Sequence, residues 1–410
     1  MSELTLPMSL GPAPTFTTSG DGPHWDDFAD TQPAPPHTLS IAFTGSGSEY
    51  LRIWIVNLLL TLVTLGIYYP WAKVRRLRYF HGNTLVGGEP LGFHGDPKKM
   101  LKGYLLVSVL LALYSGAGHF HAVAGLVAFI VVMLIWPALL KSSMQFRLAN
   151  TSWRGLRFRF TGDVQGAYAA MIPLFIPALC FVGSLAFVPD QEHPPRWYFI
   201  VTGIVSFATA LTFPWLFKRL KAYQHNHYSL ASQDAAFAAT TGMFYKLSLK
   251  IAALYIVGMG GIGFLAAATV SQRVQPDAPG DAASSEWGPY LMLGIFLLAM
   301  LAFVAILKPY FTARMQNLVW GHTHSQDVQL LSRLKARSMV WLSIKNWVLV
   351  VLTLGLYWPF AAIARARMQL EAMGISTHMS LDALVSDAQD HEGEAAGDAA
   401  GDLFGLDIGF

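Results

Sequence analysis

The stretch NLLLTLVTLGIYYPWAKVRR runs from Asn57 to Arg76, and NWVLVVLTLGLYWPFAAIARAR runs from Asn346 to Arg367 of the same 410-residue chain. Aligned without gaps, they pair Asn57 with Asn346, Thr64-Leu65-Gly66 with Thr353-Leu354-Gly355, Tyr68 with Tyr357 and Pro70 with Pro359. Each is an apolar run that ends at an aromatic-proline pair and is followed by basic residues. How such a run sits in a bilayer decides the fold.

The surrounding chain is 53% hydrophobic and only 13% charged, against roughly a quarter charged in soluble domains. Windows almost free of charge recur at 105–117, 122–140, 164–188, 197–217, 251–270, 287–307 and 346–364. Most match the roughly twenty apolar residues that a tilted helix needs to cross a bilayer. The single cysteine, Cys180, lies inside one of them, which excludes an intrachain disulfide framework or a cysteine metal cluster. The first twenty residues lack a basic start and a continuous apolar core, so a cleavable signal peptide is not expected.

Basic residues cluster after the apolar windows: Lys73, Arg75, Arg76 and Arg78, then Lys141, Arg147 and Arg154, then Lys218, Arg219 and Lys221, then Arg314, Arg333 and Arg337. The intervening short loops, such as PDQEHPPRW from Pro189, hold few cations. The positive-inside rule places the basic clusters, and with them both termini, in the cytoplasm. Cations beside membrane spans also suit anionic lipid, which makes Lys73, Arg75, Arg76 and Arg78 lipid-contact candidates. No nucleic-acid partner is implied.

Residues 1–40 and the acidic, alanine-rich 381–410 read as disordered tails, leaving 41–380 as one multi-pass membrane domain with internal repeats. Within it a pattern recurs: Phe-x-Gly with a nearby tyrosine at Phe43, Phe93 and Phe160 and a degenerate TTGMFY at Thr240, an apolar region, a proline (Pro70, Pro137, Pro214, Pro309, Pro359), basic residues, and a polar turn. The fold class expected is all-α, a polytopic helical membrane protein with three transmembrane hairpins flanked by the two TLG-Y-P segments. The alternation in LRFRF at Leu156 also points to short strands in some connections.

For the two TLG-Y-P segments, two placements are open. If each crossed once, the three hairpins between them would leave the copies antiparallel, as in inverted repeats. If each breaks at the glycine and proline and re-enters, both copies keep one orientation. The second places Asn57, Gly66, Pro70, Asn346, Gly355 and Pro359 along a broken element, as structural or pathway candidates.

No apolar window holds an acidic side chain in its interior, which argues against a carboxylate-driven pump. No nucleophile and base constellation is visible, so an enzyme is not expected, and no cofactor is called for. Of the His-x-His pairs, His225/His227 and His322/His324 are weak metal candidates; a turn-capping role accounts for them without metal.

The run from Phe43 through Trp54, Asn57, TLGIYYPWAKVR and Asn83-Thr84 to Phe93 resembles the YjgN-like family of bacterial inner-membrane proteins, built on a domain of unknown function. The resemblance implies a multi-pass protein of the inner membrane and carries no activity. The expected function is transport or channel-like passage of a small solute. The alternative is a non-catalytic membrane organiser that contacts anionic lipid or a partner protein.

Overall fold

A computed structural model of the chain describes residues 37–190, 192–230, 233–271 and 288–377. The two expected tails lie outside these residues, except that 37–40 begin a strand. Among the described residues the chain runs through five successive stretches of strand, helix, helix and strand. The first holds β1 (His37–Phe43), α1 (Gly47–Val63), α2 (Tyr69–Gly82) and β2 (Thr84–Val86); the second β3 (Glu89–Phe93), α3 (Pro97–Phe120), α4 (Ala122–Ala149) and β4 (Thr151–Trp153). The third holds β5 (Leu156–Phe160), α5 (Val164–Ala186), α6 (Arg196–His225) and β6 (Tyr228–Leu230). The fourth opens on the split strand β7 (Gln233–Asp234) and β8 (Ala236–Phe237), then α7 (Thr241–Ser271), α8 (Gly288–Trp320) and β9 (Thr323–His324). The fifth is β10 (Val328–Ser332), α9 (Ala336–Leu352), α10 (Trp358–Glu371) and β11 (Met373–Thr377).

The all-α expectation is corrected by an eleven-stranded sheet. Its strands are two to seven residues long, too short for a period-two pattern to stand out beside helices of up to 33 residues. The strand order is β7-β6-β5-β4-β3-β2-β1-β11-β10-β9-β8. Its two ends, β7 and β8, are separated by Ala235 alone, so one extended segment pairs with β6 through its first half and with β9 through its second. The order therefore closes on itself. The first strand of each stretch meets the last strand antiparallel: Phe43 faces Thr84, Phe93 faces Thr151, Phe160 faces Tyr228, Phe237 faces Thr323 and Ser332 faces Met373. Every helix pair thus leaves the sheet and returns to it.

The Phe-x-Gly signature has a packing cause. A Cβ at Gly45 would come within 2.8 Å of the Phe43 ring, and one at Gly95 within 2.7 Å of the Phe93 ring. The next residue starts the helix: Ser46, Asp96 and Asp163 accept from the backbone N–H of Glu49, Lys98 and Gly166, satisfying donors that the first turn leaves free.

The helices follow the same closed order. Each packs chiefly on the helix before and after it, and α1 packs on α10. The hydrophobic core is correspondingly divided into five small clusters, one at each junction between stretches. Val74 and Leu77 meet Phe93, Met100 and Phe146; Met144 and Leu148 meet Phe160 and Ala167; Phe217 meets Phe244 and Val319; Ala313 meets Leu334 and Met339; Ile363 meets Phe43 and Tyr50.

Six helices, α3 to α8, are long and apolar enough to cross a membrane. The short pairs are not: α1 and α9 have 17 residues, α2 and α10 have 14. Their relative height is set by proline. Asn83 lies thirteen positions after Pro70, and the same interval takes Pro137 to Asn150, Pro214 to His227, Pro309 to His322 and Pro359 to Ala372. At each of these second positions the carbonyl accepts from the chain just past the strand, from the N–H of Thr44, His94, Thr161, Ala238 and Arg333 respectively. All five prolines therefore stand at one level above the sheet. Helices α2 and α10 begin there, whereas α4, α6 and α8 continue through it.

Candidate functional site

The two TLG-Y-P segments form tight turns between α1 and α2 and between α9 and α10. In the first, Leu65 has φ +50° and Gly66 φ +92°; in the second, Leu354 has φ +49° and Gly355 φ +91°. Glycine is needed at the second position, where a side chain is strained; the preceding leucines take the left-handed region at a cost of about 1–2 kcal/mol.

What offsets that cost is the pairing of every N–H group in the turn. The N–H groups of Thr64, Leu65, Gly66, Ile67 and Tyr69 bond to the carbonyls of Leu60, Leu62, Thr61, Thr64 and Gly66. Tyr68 N–H, the remaining one, donates to Thr64 Oγ1 at 3.0 Å, while that hydroxyl donates to Leu60 O at 2.7 Å. The second copy repeats this: Tyr357 N–H reaches Thr353 Oγ1 at 3.0 Å, and Thr353 donates to Leu349 O at 2.7 Å. Paired N–H groups suit a turn set in hydrocarbon, where an unpaired donor costs several kcal/mol. Its side chains agree, since Leu65 is 94% and Leu354 95% exposed at the two tips, beside exposed Val63, Ile67, Leu352 and Leu356.

Below each turn the helices are tied by a buried asparagine. Asn57 Nδ2 donates to Ala72 O at 3.4 Å and Asn346 Nδ2 to Ala361 O at 3.5 Å, each beside a fully buried proline, Pro70 or Pro359. The Oδ1 atoms of both are buried without a partner, so each hairpin keeps one open acceptor, at a cost of roughly 1–3 kcal/mol.

The structure brings the two hairpins side by side. Phe360 of α10 packs so closely on Gly47 that a Cβ there would lie 2.3 Å from its ring, and Arg367 Nη2 donates to Gly45 O at 3.0 Å. Arg78 makes the corresponding bond to Gly95 O at 3.3 Å, and Asn317 to Leu334 O at 2.9 Å. Of the cations singled out for lipid contact, Arg75, Arg76 and Arg78 are exposed on α2, and the Arg76 guanidinium lies over the Phe80 ring. Lys73 is half-buried; burial first, then the charge of Arg147, lowers its pKa.

The histidine pairs meet at the junction of the third and fourth stretches. His225 is buried, 3.0 Å from Thr323 Oγ1 through Nδ1, and because the single hydroxyl proton of Thr323 goes to Val319 O, His225 is the donor. His227 and His322 bond through Nδ1 to the carbonyls of Tyr223 and Leu318, four residues back, as Asn83 and Asn150 do through their side-chain amides. His324 is exposed on β9. Among the described residues no group of three or more His, Cys, Asp or Glu side chains could hold a metal ion.

Reading the sequence alone missed Thr64 and Thr353 as functional side chains, although both lie in the aligned identities. It marked Tyr168 and Tyr245 as the tyrosines that open their units but gave them no role; the Tyr168 hydroxyl donates to Leu134 O and that of Tyr245 to Leu211 O, each at 2.7 Å. Both carbonyls lie three residues before a proline, Pro137 or Pro214, and the recurrence of a tyrosine at the start of each unit was the signal that pointed there.

The family described as bacterial protein of unknown function (DUF898) matches residues 38–403. A protein called inner membrane protein YjgN from Salmonella typhimurium is 34% identical over 152 residues, 36% of this chain and 37% of the relative. Its namesake from Escherichia coli K12 is 29% identical over 170 residues, 39% of this chain and 40% of the relative. The chain thus matches well under half the length of these curated relatives. No solved structure matches it. With the family match running across most of the chain and six helices apolar enough to span, this chain belongs to the DUF898 family of YjgN-like inner membrane proteins.

Proposed function

We propose that the protein passes a small solute through the membrane along the space that its ring of helices encloses. The observation that carries this reading is the closed order of both sheet and helices, with a core divided among five junctions and each helix packed chiefly on its two neighbours. In this reading the five stretches are repeats of one unit. The three long pairs are transmembrane hairpins, the two short pairs re-enter, and the sheet with both termini faces the cytoplasm, on the side of the basic clusters. The protein acts without chemistry of its own.

The test is flux through the full chain in vesicles of phosphatidylethanolamine and phosphatidylglycerol, with potassium, chloride, glycerol and glycine as soluble probes and a fluorescent phospholipid as the membrane probe. Movement of at least one probe faster than in protein-free vesicles is expected. If none moves faster, transport falls.

A second reading, a membrane organiser that contacts anionic lipid, draws on Arg75 and Arg76, which are exposed on a short helix that ends at the sheet. It predicts that Arg75→Gln with Arg76→Gln weakens binding to vesicles of phosphatidylglycerol, and unchanged binding would sink it.

A further inference from the structure

We propose that the two short hairpins leave a side opening in the helix ring, between α3 and α8 on the side away from the sheet, and that the acyl chains of bilayer phospholipid pass through it. This deepens the transport reading and rests on it: the transported class is an amphipathic lipid rather than a hydrated ion.

The opening follows from adjacency and height. In the closed order α1, α2, α9 and α10 occupy four consecutive places, with α3 on one flank and α8 on the other. At about 1.5 Å per residue, α1 and α9 rise about 25 Å, whereas α3 to α8 have 23 to 33 residues and rise about 35 Å or more. The level of the prolines confirms which part is missing. Above it α4, α6 and α8 run on by 15 to 21 residues, while α2 and α10 have no continuation. Beyond the two turns the wall therefore consists of α3 to α8 alone, with α3 and α8 as its free edges. Leu65 and Leu354, the most exposed apolar side chains of the two turns, form the sill.

The occupant follows from the wall. From Ala122 to Leu140, α4 carries no polar side chain apart from the Trp136 indole; neither does α7 from Ile251 to Phe264 apart from Tyr255, nor α8 from Leu293 to Leu307. A helix apolar on every side offers hydrocarbon to whatever it faces, inside the ring as well as outside. Several hydroxyls that do occur are spent on backbone: Thr202, Thr209 and Thr212 donate to the carbonyls of Tyr198, Val205 and Ala208, and Tyr168 and Tyr245 to those of Leu134 and Leu211. An enclosed surface of this kind cannot replace the hydration of an ion, and it is continuous through the opening with the bilayer. Acyl chains match it.

The experiment uses the full chain in vesicles of phosphatidylethanolamine and phosphatidylglycerol with a fluorescent phospholipid in both leaflets, quenched by dithionite from outside. Without lipid movement only the outer label is lost; the expected result is loss of nearly all of it. Replacing the exposed sill by Leu65→Glu with Leu354→Glu should slow the second phase by on the order of tenfold, because an ionised group in hydrocarbon is costly. Leu65→Trp with Leu354→Trp, which keeps the sill apolar, is the control for insertion and should retain most of the rate. A photoreactive leucine analogue at position 65 should cross-link to phospholipid. If a soluble probe moves and the phospholipid does not, the lipid assignment fails and transport stands. If no probe moves, both fail. Cross-linking of position 65 to a second copy of the chain, instead of lipid, would overturn the opening by showing it to be an interface.

Discussion

Arg367 and Gly45 are separated by 322 positions, yet the guanidinium of the first donates to the carbonyl of the second at 3.0 Å. This bond, with β1 paired to β11 and α1 packed on α10, joins the fifth stretch to the first. Removing it in Arg367→Ala should lower the stability of the detergent-solubilised protein by about 1–2 kcal/mol, since a charged donor contributes about 1.5–3 kcal/mol and this one is half exposed. The neighbouring pair with Glu371, 3.9 Å apart and half exposed, adds little. Thermal unfolding of Arg367→Ala and of Glu371→Gln separates the two: only the first should shift.

The turn hydroxyls are the second place where one atom decides much. Thr64→Val and Thr353→Val keep shape and apolar surface but leave Tyr68 N–H and Tyr357 N–H without their acceptors. Each should cost about 1–3 kcal/mol, and Thr64→Ser should restore most of it. Equal stability of the valine and serine variants would show that the turn is hydrated rather than set in hydrocarbon.

Re-entry makes a topological prediction. Because β1, β2, β10 and β11 lie in one sheet, reporter fusions after Glu49 and after Arg367 should give the same cytoplasmic signal. Opposite signals would restore two single crossings. A cysteine at Leu65 in a Cys180→Ser background should resist a charged thiol reagent from either side until the membrane is dissolved.

Much of this was legible in the residues. Charge-free windows and the family resemblance placed the chain in the inner membrane, and the Gly-Pro break in TLGIYYP raised re-entry as one of two placements. The closed sheet was not legible, because its strands are short and their partners lie at the far ends of helix pairs, or, for His37 and Thr377, at opposite ends of the chain. Nor did sequence show the two short pairs as neighbours: that depends on ring closure, which local pattern does not encode. Arg78 illustrates the same limit: its charge suggested lipid and its side chain is exposed, but the hydrogen bond it also makes to Gly95 O of the next stretch could not be read from sequence.

His81 supplies a pH dependence near the sheet. Its Nδ1 lies 2.8 Å from Leu77 O and its ring 5.3 Å from the Phe93 centroid. Burial, the largest cause, lowers its pKa from 6.5; Arg147 lowers it further, and the Leu77 carbonyl opposes both. The folded state therefore favours the neutral ring, and the unfolded chain binds the proton more readily. The stability is fully present above pH about 6.5 and falls as the solution is acidified through and below that value. Thermal unfolding between neutral and mildly acidic pH should show a shallower decline in His81→Gln, which cannot titrate; an unchanged slope would assign the decline to other groups.

Tyr168 tests how the long helices are held at their prolines. Pro137 lacks an N–H and disturbs the hydrogen bonds of the turn before it, and the Leu134 carbonyl in that turn takes the Tyr168 hydroxyl from the neighbouring helix. Tyr245 serves the Leu211 carbonyl before Pro214 in the same way. Hydrogen bonds between membrane helices contribute modestly, about 0.6 kcal/mol on average and up to roughly 1.7, so Tyr168→Phe alone should lower stability by that amount. The informative variant is the pair with Pro137→Ala. Restoring the N–H at position 137 gives Met133 O its donor and removes the ring that holds the turn open, so the Ala138 N–H can close on Leu134 O and Tyr168→Phe should cost less in the Pro137→Ala background than in the native chain. A double-mutant cycle measures the difference, and strict additivity would separate the tyrosine from the kink.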